Sequence, residues 1–87
     1  MTFTFELTPY LKELIGFSKF RHTEQDDYPI IVNAFIRQHY SQSKVEAVMN
    51  NYIVEPNEKH TQEFQLFQVC RNEAKAYAKR LLGLEED

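Results

Sequence analysis

The sequence predicts an all-α fold: a compact four-helix domain in which three short helices pack around one long C-terminal helix, preceded by an extended N-terminal arm. Three observations carry this prediction. Apolar residues recur at helical spacing through most of the chain, most strongly over 57–82. Capping and breaking residues divide that periodicity into four stretches. A hydrophobic content of 43%, with only two Gly and three Pro in 87 residues, marks one globular domain spanning 1–87 rather than a disordered chain.

The arm comes first. Phe3, Phe5 and Leu7 alternate with Thr2, Thr4 and Glu6, the period of a strand, yet no partner strand is legible elsewhere. Residues 2–7 are therefore expected to lie extended on the helices, or to pair with their copy across a dimer, with both Phe rings as core anchors. Thr8-Pro9 starts the first helix, 9–20: the Thr oxygen accepts from free amides, and Pro at the first position gives up nothing. Tyr10, Leu11, Leu14, Ile15, Phe17 and Ser18 share its apolar face, Phe20 projects away from it, and Gly16 weakens the last turn.

Arg21 to Asp27 is the most polar stretch and reads as a loop or one short turn. Asp26 or Asp27 caps a second helix, 27–40, with Pro29 in its first turn and Ile31, Val32, Phe35, Ile36, His39 and Tyr40 on its buried side. Ser43 caps a third helix, 43–54, whose apolar face is Val45, Val48, Met49, Tyr52 and Ile53. Pro56 disfavours helix at Glu55, and Asn57 caps the long helix, 57–82, with Gly83 as its stop. Projected at about 100° per residue, Phe64, Phe67, Cys70, Ala74, Tyr77, Ala78, Leu81 and Leu82 form one stripe. Leu66, Val69 and Ala76 widen it beyond half the circumference, so several neighbours must cover this helix.

The formal net charge of −3 is matched by three C-terminal acids, Glu85, Glu86 and Asp87, expected as a frayed tail. A mildly acidic chain, pI near 5.6, has no general attraction for phosphate backbones. One cysteine excludes an internal disulfide framework, and Cys70, inside the apolar stripe, is expected to be a buried inert thiol. No apolar run reaches membrane-spanning length and the first residues lack a secretory pattern, so a cytoplasmic setting is expected. A domain this small has little core, which makes a homodimer a fair expectation.

No reaction is named by a motif. There is no Gly-x-Ser-x-Gly, no glycine-rich phosphate loop and no Glu-x-x-His pair; one Cys and three dispersed His are a poor supply for zinc. The expectation is a non-enzymatic protein without metal or cofactor. His39, on the apolar side of the second helix, is either a core histidine bonded to a backbone carbonyl or to a buried hydroxyl such as that of Tyr52, or a catalytic or ligand-binding imidazole in a pocket. Arg71, on the apolar side of the long helix, pairs with an acid of another helix, snorkels out along its alkyl stem, or binds an anion or carboxylate.

Two binding readings remain beside a pocket built around His39 and Arg71. The second and third helices with the joint Tyr40–Ser43 superficially resemble a helix-turn-helix, in which Lys44, Asn50 and Asn51 would meet DNA, but the presumed recognition helix also carries Glu46. The preferred reading is protein binding through the polar stretch and its flanking aromatics: Phe20, Glu24, Asp26, Asp27 and Tyr28. An acidic patch of this kind can occlude a basic surface on a partner, in the manner of small inhibitors or immunity proteins, a comparison resting on size, charge and helicity alone.

Overall fold

A computed structural model describes residues 2–84, which form four α-helices and no strand. These are α1 (Pro9–Arg21), α2 (Glu24–Arg37), α3 (Gln42–Val54) and α4 (Glu58–Leu82). The acidic tail expected at 85–87 lies outside the described residues.

Three of the helices start on a side-chain oxygen that accepts a free backbone amide. Thr8 Oγ1 accepts from Leu11 N–H at 3.3 Å, Ser41 Oγ from Lys44 at 3.1 Å, and Asn57 Oδ1 from His60 at 2.8 Å. α2 has no such cap. The backbone carbonyl of Thr23 instead accepts from Asp26 and Asp27, each at 3.0 Å, while Glu24, Asp26 and Asp27 sit in the first turn, where the helix dipole favours acids. α1 and α4 both stop on left-handed residues, His22 (φ 58°) and Gly83 (φ 71°).

α4 is the central element and touches the other three helices. Cys70, Ala74 and Ala78 repeat every four residues along it, all fully buried, and share one core with Ile31 and Phe35 of α2. Small side chains in a row let a neighbouring helix lie close. α3 is held towards the start of α4, where the ring of Tyr52 stacks on Phe64 at 4.1 Å between centroids. α1 buries Leu11, Ile15 and Ser18, and its joint with α2 lies beside Leu82 and Gly83, at the far end of α4. The arm keeps its alternation: Phe3, Phe5 and Leu7 are half-buried against the core, while Thr2, Thr4 and Glu6 are exposed.

With α1 and α3 docked towards opposite ends of α4, the molecule is elongated, measuring 46 × 29 × 21 Å. Its radius of gyration is 14.6 Å. A globule of this length would measure about 12 Å. The accessible surface is 6102 Å². The same mass would ordinarily expose about 5400 Å².

Several expectations are corrected. The second helix begins at Glu24 and ends at Arg37, not at 27 and 40, and neither Asp26 nor Asp27 is its cap. The acids that read as a loop are its first turn. The third helix is capped by Ser41 rather than Ser43. Because the backbone leaves α2 after Arg37, His39 is carried out to the surface, while Tyr40 is buried as expected. Tyr10 and Phe17 on α1, and Met49 and Ile53 on α3, are exposed although they belong to the apolar faces assigned to those helices. Leu66, Val69 and Ala76 of α4 are also exposed. Each neighbouring helix covers only part of that wide apolar sector.

Candidate protein-interaction surface

α1 carries two rows of side chains. Leu11, Ile15 and Ser18 point inwards, and Leu14 is half-buried beside them. Past Leu14, at the outer margin of this face, Tyr10 and Phe17 stand in water at 62 and 58% exposure, and Phe20, projecting away from the core, at 83%. Phe17 and Phe20, three residues apart, are neighbours on the helix surface, and Tyr10 lies two turns before Phe17 on the same side. The guanidinium of Arg21 lies 5.8 Å from the Phe17 ring centroid, within cation–π range.

The start of α2 borders this row. Leu14, Phe17 and Arg21 of α1 line a shallow groove with Thr23, Asp26 and Asp27. Ile30 follows Asp26 by one helical turn and is 51% exposed, which extends the apolar edge onto α2. The outer edge of the α1–α2 pair therefore presents aromatic and aliphatic groups beside one acid and one guanidinium.

The residues expected to bind a partner divide. Phe20 and Asp26 are exposed at this edge. Glu24 lies in a second shallow groove with His22, Gln25, Leu82 and Leu84, facing the end of α4. Asp27 turns inwards, where its carboxylate accepts from the hydroxyls of Ser18 and Thr23. Tyr28 is half-buried against the core with Lys79 Nζ 6.0 Å from its ring centroid, and burial raises its phenol above the ordinary value. Asp27 and Tyr28 build the edge; Phe20 and Asp26 are displayed on it. Periodicity alone could not separate the two pairs, because both follow from how α1 and α2 approach each other.

His39 and Arg71 do not form a common pocket. His39 sits in a shallow groove with Thr4, Phe5, Glu6 and Gln38, and Arg71 is not among its lining residues. The His39 ring stands edge-on to Phe3 and Phe5, and its Nε2 donates to the Thr4 carbonyl at 2.6 Å. The backbone carbonyl considered for this imidazole is thus supplied by the arm, at the surface rather than in the core. Arg71 is exposed on α4. No group of three or more His, Cys, Asp or Glu side chains converges among the described residues.

Of the residues of the helix-turn-helix reading, Lys44 and Asn51 come together and Asn50 stands apart. Asn50 is exposed, whereas Asn51 is half-buried and shares a groove with Tyr40, Lys44, Glu63 and Leu66. Lys44 Nζ lies 5.5 Å from the Tyr40 ring centroid. Glu46 accepts from Gln42 at 3.0 Å, and Gln42 in turn accepts from Arg37. Lys44 and Glu46 are the only base and the only acid of α3, two residues apart and therefore on different sides of it. No helix among the described residues is long and apolar enough to cross a membrane.

Sequence reasoning missed the device that holds the arm. Gln38 Oε1 accepts from Glu6 N–H at 2.7 Å and its Nε2 donates to the Glu6 carbonyl at 2.8 Å. The Glu73 carboxylate accepts from the N–H groups of Thr2 and Phe3, the latter at 2.9 Å. Partial desolvation pushes the Glu73 carboxyl up, but those N–H groups together outweigh it and hold it below the usual glutamate value. Polar residues at 38, 39 and 73 carry no pattern that pairs them with residues 2–6.

Compared with models of protein families, with curated proteins and with solved structures, the chain matches none.

Proposed function

We propose that this chain is a non-enzymatic helical interaction module that binds another protein through the outer edge of α1 and the start of α2. One observation carries the reading: Tyr10, Phe17 and Phe20 project into water from a single helix whose other face is locked into the core. Aromatic groups on a rigid element lose little conformational entropy on contact, and with a polar rim they compose the centre of a protein interface. Arg21 and Asp26 provide that rim. Its partner is a protein surface with an apolar centre and both charge signs at the margin.

The test is capture from the native host with three forms of the chain. Phe17→Ser with Phe20→Ser removes the centre of the edge, and Ile53→Ser removes an equally exposed apolar group on α3. All three forms are expected to keep the same helical circular dichroism. The wild type and Ile53→Ser should retain the same partner, and the double variant should lose it by at least tenfold. Equal retention by the double variant assigns binding to another surface.

A further inference from the structure

We propose that the groove between α3 and α4 is a binding site for a small zwitterion, an α-amino acid with an aliphatic side chain, held between Lys44 and Glu63 over the hydroxyl of Tyr40. The site lies on a different surface from the α1–α2 edge and does not depend on that reading.

Two regular helices set out the groove. Lys44 and Asn51 of α3 and Glu63 of α4 give it polar groups, and Tyr40 joins them from the turn after α2. Ala47, Val48 and Leu66 supply an apolar wall. Lys44, Val48 and Asn51 follow one another at helical spacing along one side of α3, and Glu63 and Leu66, three apart, do so on α4.

Tyr40 marks the place where a ligand is missing a counterpart. It is only 6% exposed, yet its hydroxyl bonds to no group among the described residues. A buried phenol ordinarily finds a partner. No side-chain nitrogen or oxygen cut off from solvent among the described residues lacks one, so this hydroxyl still reaches water, and Tyr40 lines the groove. Burial, with Cys70 and Glu63 nearby, holds the phenol above its ordinary value, so it enters the site as a proton donor.

Opposite charges flank that donor. The Lys44 ammonium lies 5.5 Å from the Tyr40 ring centroid, and Glu63 lines the same groove from the facing helix. Neither forms an ion pair with the other or with any other described residue. An anion alone would meet Glu63 and a cation alone would meet Lys44, whereas a molecule carrying one carboxylate and one ammonium satisfies both. The Asn51 carboxamide can donate or accept beside them, and the apolar wall takes an aliphatic body. The groove encloses about 230 Å³. Sites for drug-sized ligands measure roughly 300–1,000 Å³, so the occupant has the size of a single amino acid.

The probes are leucine, N-acetylleucine, which lacks the ammonium, and leucinamide, which lacks the carboxylate. Each is titrated into the full chain to about 10 mM while the amide resonances are followed. Leucine should saturate with a dissociation constant near or below about 1 mM, moving Ala47, Asn51 and Leu66 and leaving α1 in place. The blocked probes should bind at least tenfold more weakly, the loss expected for one charge-assisted bond. Lys44→Gln should bring leucine down to leucinamide without weakening leucinamide further, and Glu63→Gln should do the same for N-acetylleucine. Tyr40→Phe, which keeps the ring, should weaken all three. Absence of saturation overturns the site, as does equal binding of the three probes or leucine binding that survives both charge variants.

Discussion

The hydroxyl of Ser18 on α1 donates to the carboxylate of Asp27 on α2, and the two residues tie these helices together at their shared joint. Ser18 is fully buried, and its single proton lies within reach of both Asp27 and the Leu14 carbonyl, 2.7 Å away. Thr23 Oγ1 donates to the same Asp27 oxygen at 3.1 Å. Hydrogen bonds to a charged acceptor contribute about 1.5–3 kcal/mol. Asp27→Ala strips both hydroxyls of this acceptor and should cost an amount in that range. Ser18→Ala removes one donor, regains some helix propensity, and should cost about 1 kcal/mol. The double variant should cost less than the sum, because the residues share one bond. Urea unfolding with unchanged slope is the measurement, and strict additivity would show that the tie contributes nothing.

Glu73 gives the arm an acid-sensitive latch. Its carboxyl is held below the ordinary glutamate value by the amides of Phe3 and Thr2, against partial desolvation. A depressed carboxylate contributes stability that is present above its unfolded value and lost as pH falls through the folded one. Docking of the arm should therefore be constant at neutral pH and weaken on acidification below about 4.3, the unperturbed glutamate value. Amide resonances of Thr2 and Phe3 should follow this titration while those of α4 stay in place. In Glu73→Gln the acid limb should vanish. An arm that releases at the same pH in that variant is held by other groups.

Local chemistry was legible in the sequence, and long-range geometry was not. Thr8, Asn57 and Gly83 announce helix ends because a cap acts within three or four residues of itself. The run Arg21–Asp27 misled because acids that mark a loop by composition also suit the first turn of a helix, which Glu24, Asp26 and Asp27 occupy. Extending the helical phase past Arg37 places both His39 and Tyr40 in the core, but the chain unwinds there, so only Tyr40 is buried. Periodicity marks which side of a helix is apolar; it does not say whether a neighbour reaches far enough to cover it. Phe17, Ile53 and Leu66 are therefore exposed on faces that read as core. Of the candidate site, Phe20 and Asp26 were found, while Tyr10, Phe17 and Ile30 emerge only from the way α1 lies on α2.

Cys70 should be chemically silent in the folded protein. It is fully buried between α2 and α4, burial pushes its thiol up to about 11, and the charge of Glu73 adds to the rise. At pH 8 the thiolate is then roughly one part in a thousand, and the reagent must also reach it. Alkylation under native conditions should run at least about a hundredfold slower than in denaturant, limited by opening of the α2–α4 seam. Rapid labelling of the native chain would show that this seam is loose.

His22 marks a place where the sequence is not optimal for its own fold. It ends α1 at φ 58° and ψ 39°, the left-handed conformation that Gly83 adopts at the end of α4 with φ 71°. The two ends share a bonding pattern. The N–H of His22 reaches Lys19 at 3.3 Å and that of Thr23 reaches Ser18 at 2.8 Å, as Gly83 reaches Arg80 and Leu84 reaches Lys79. A side chain in this conformation is opposed by its own Cβ, a cost that glycine avoids. His22→Gly should stabilise the chain by about 0.5–1 kcal/mol, reduced somewhat by the freer unfolded backbone. In a domain of this size that raises the midpoint of thermal unfolding by a few degrees, on the order of 4–8 °C per kcal/mol. Gly83→Ala should do the reverse by about 1 kcal/mol through backbone strain alone, because an added Cβ there meets nothing within 4 Å. Thermal scans of the two variants should move in opposite directions; a lower midpoint for His22→Gly would mean that the imidazole holds the α1–α2 joint by contacts of its own.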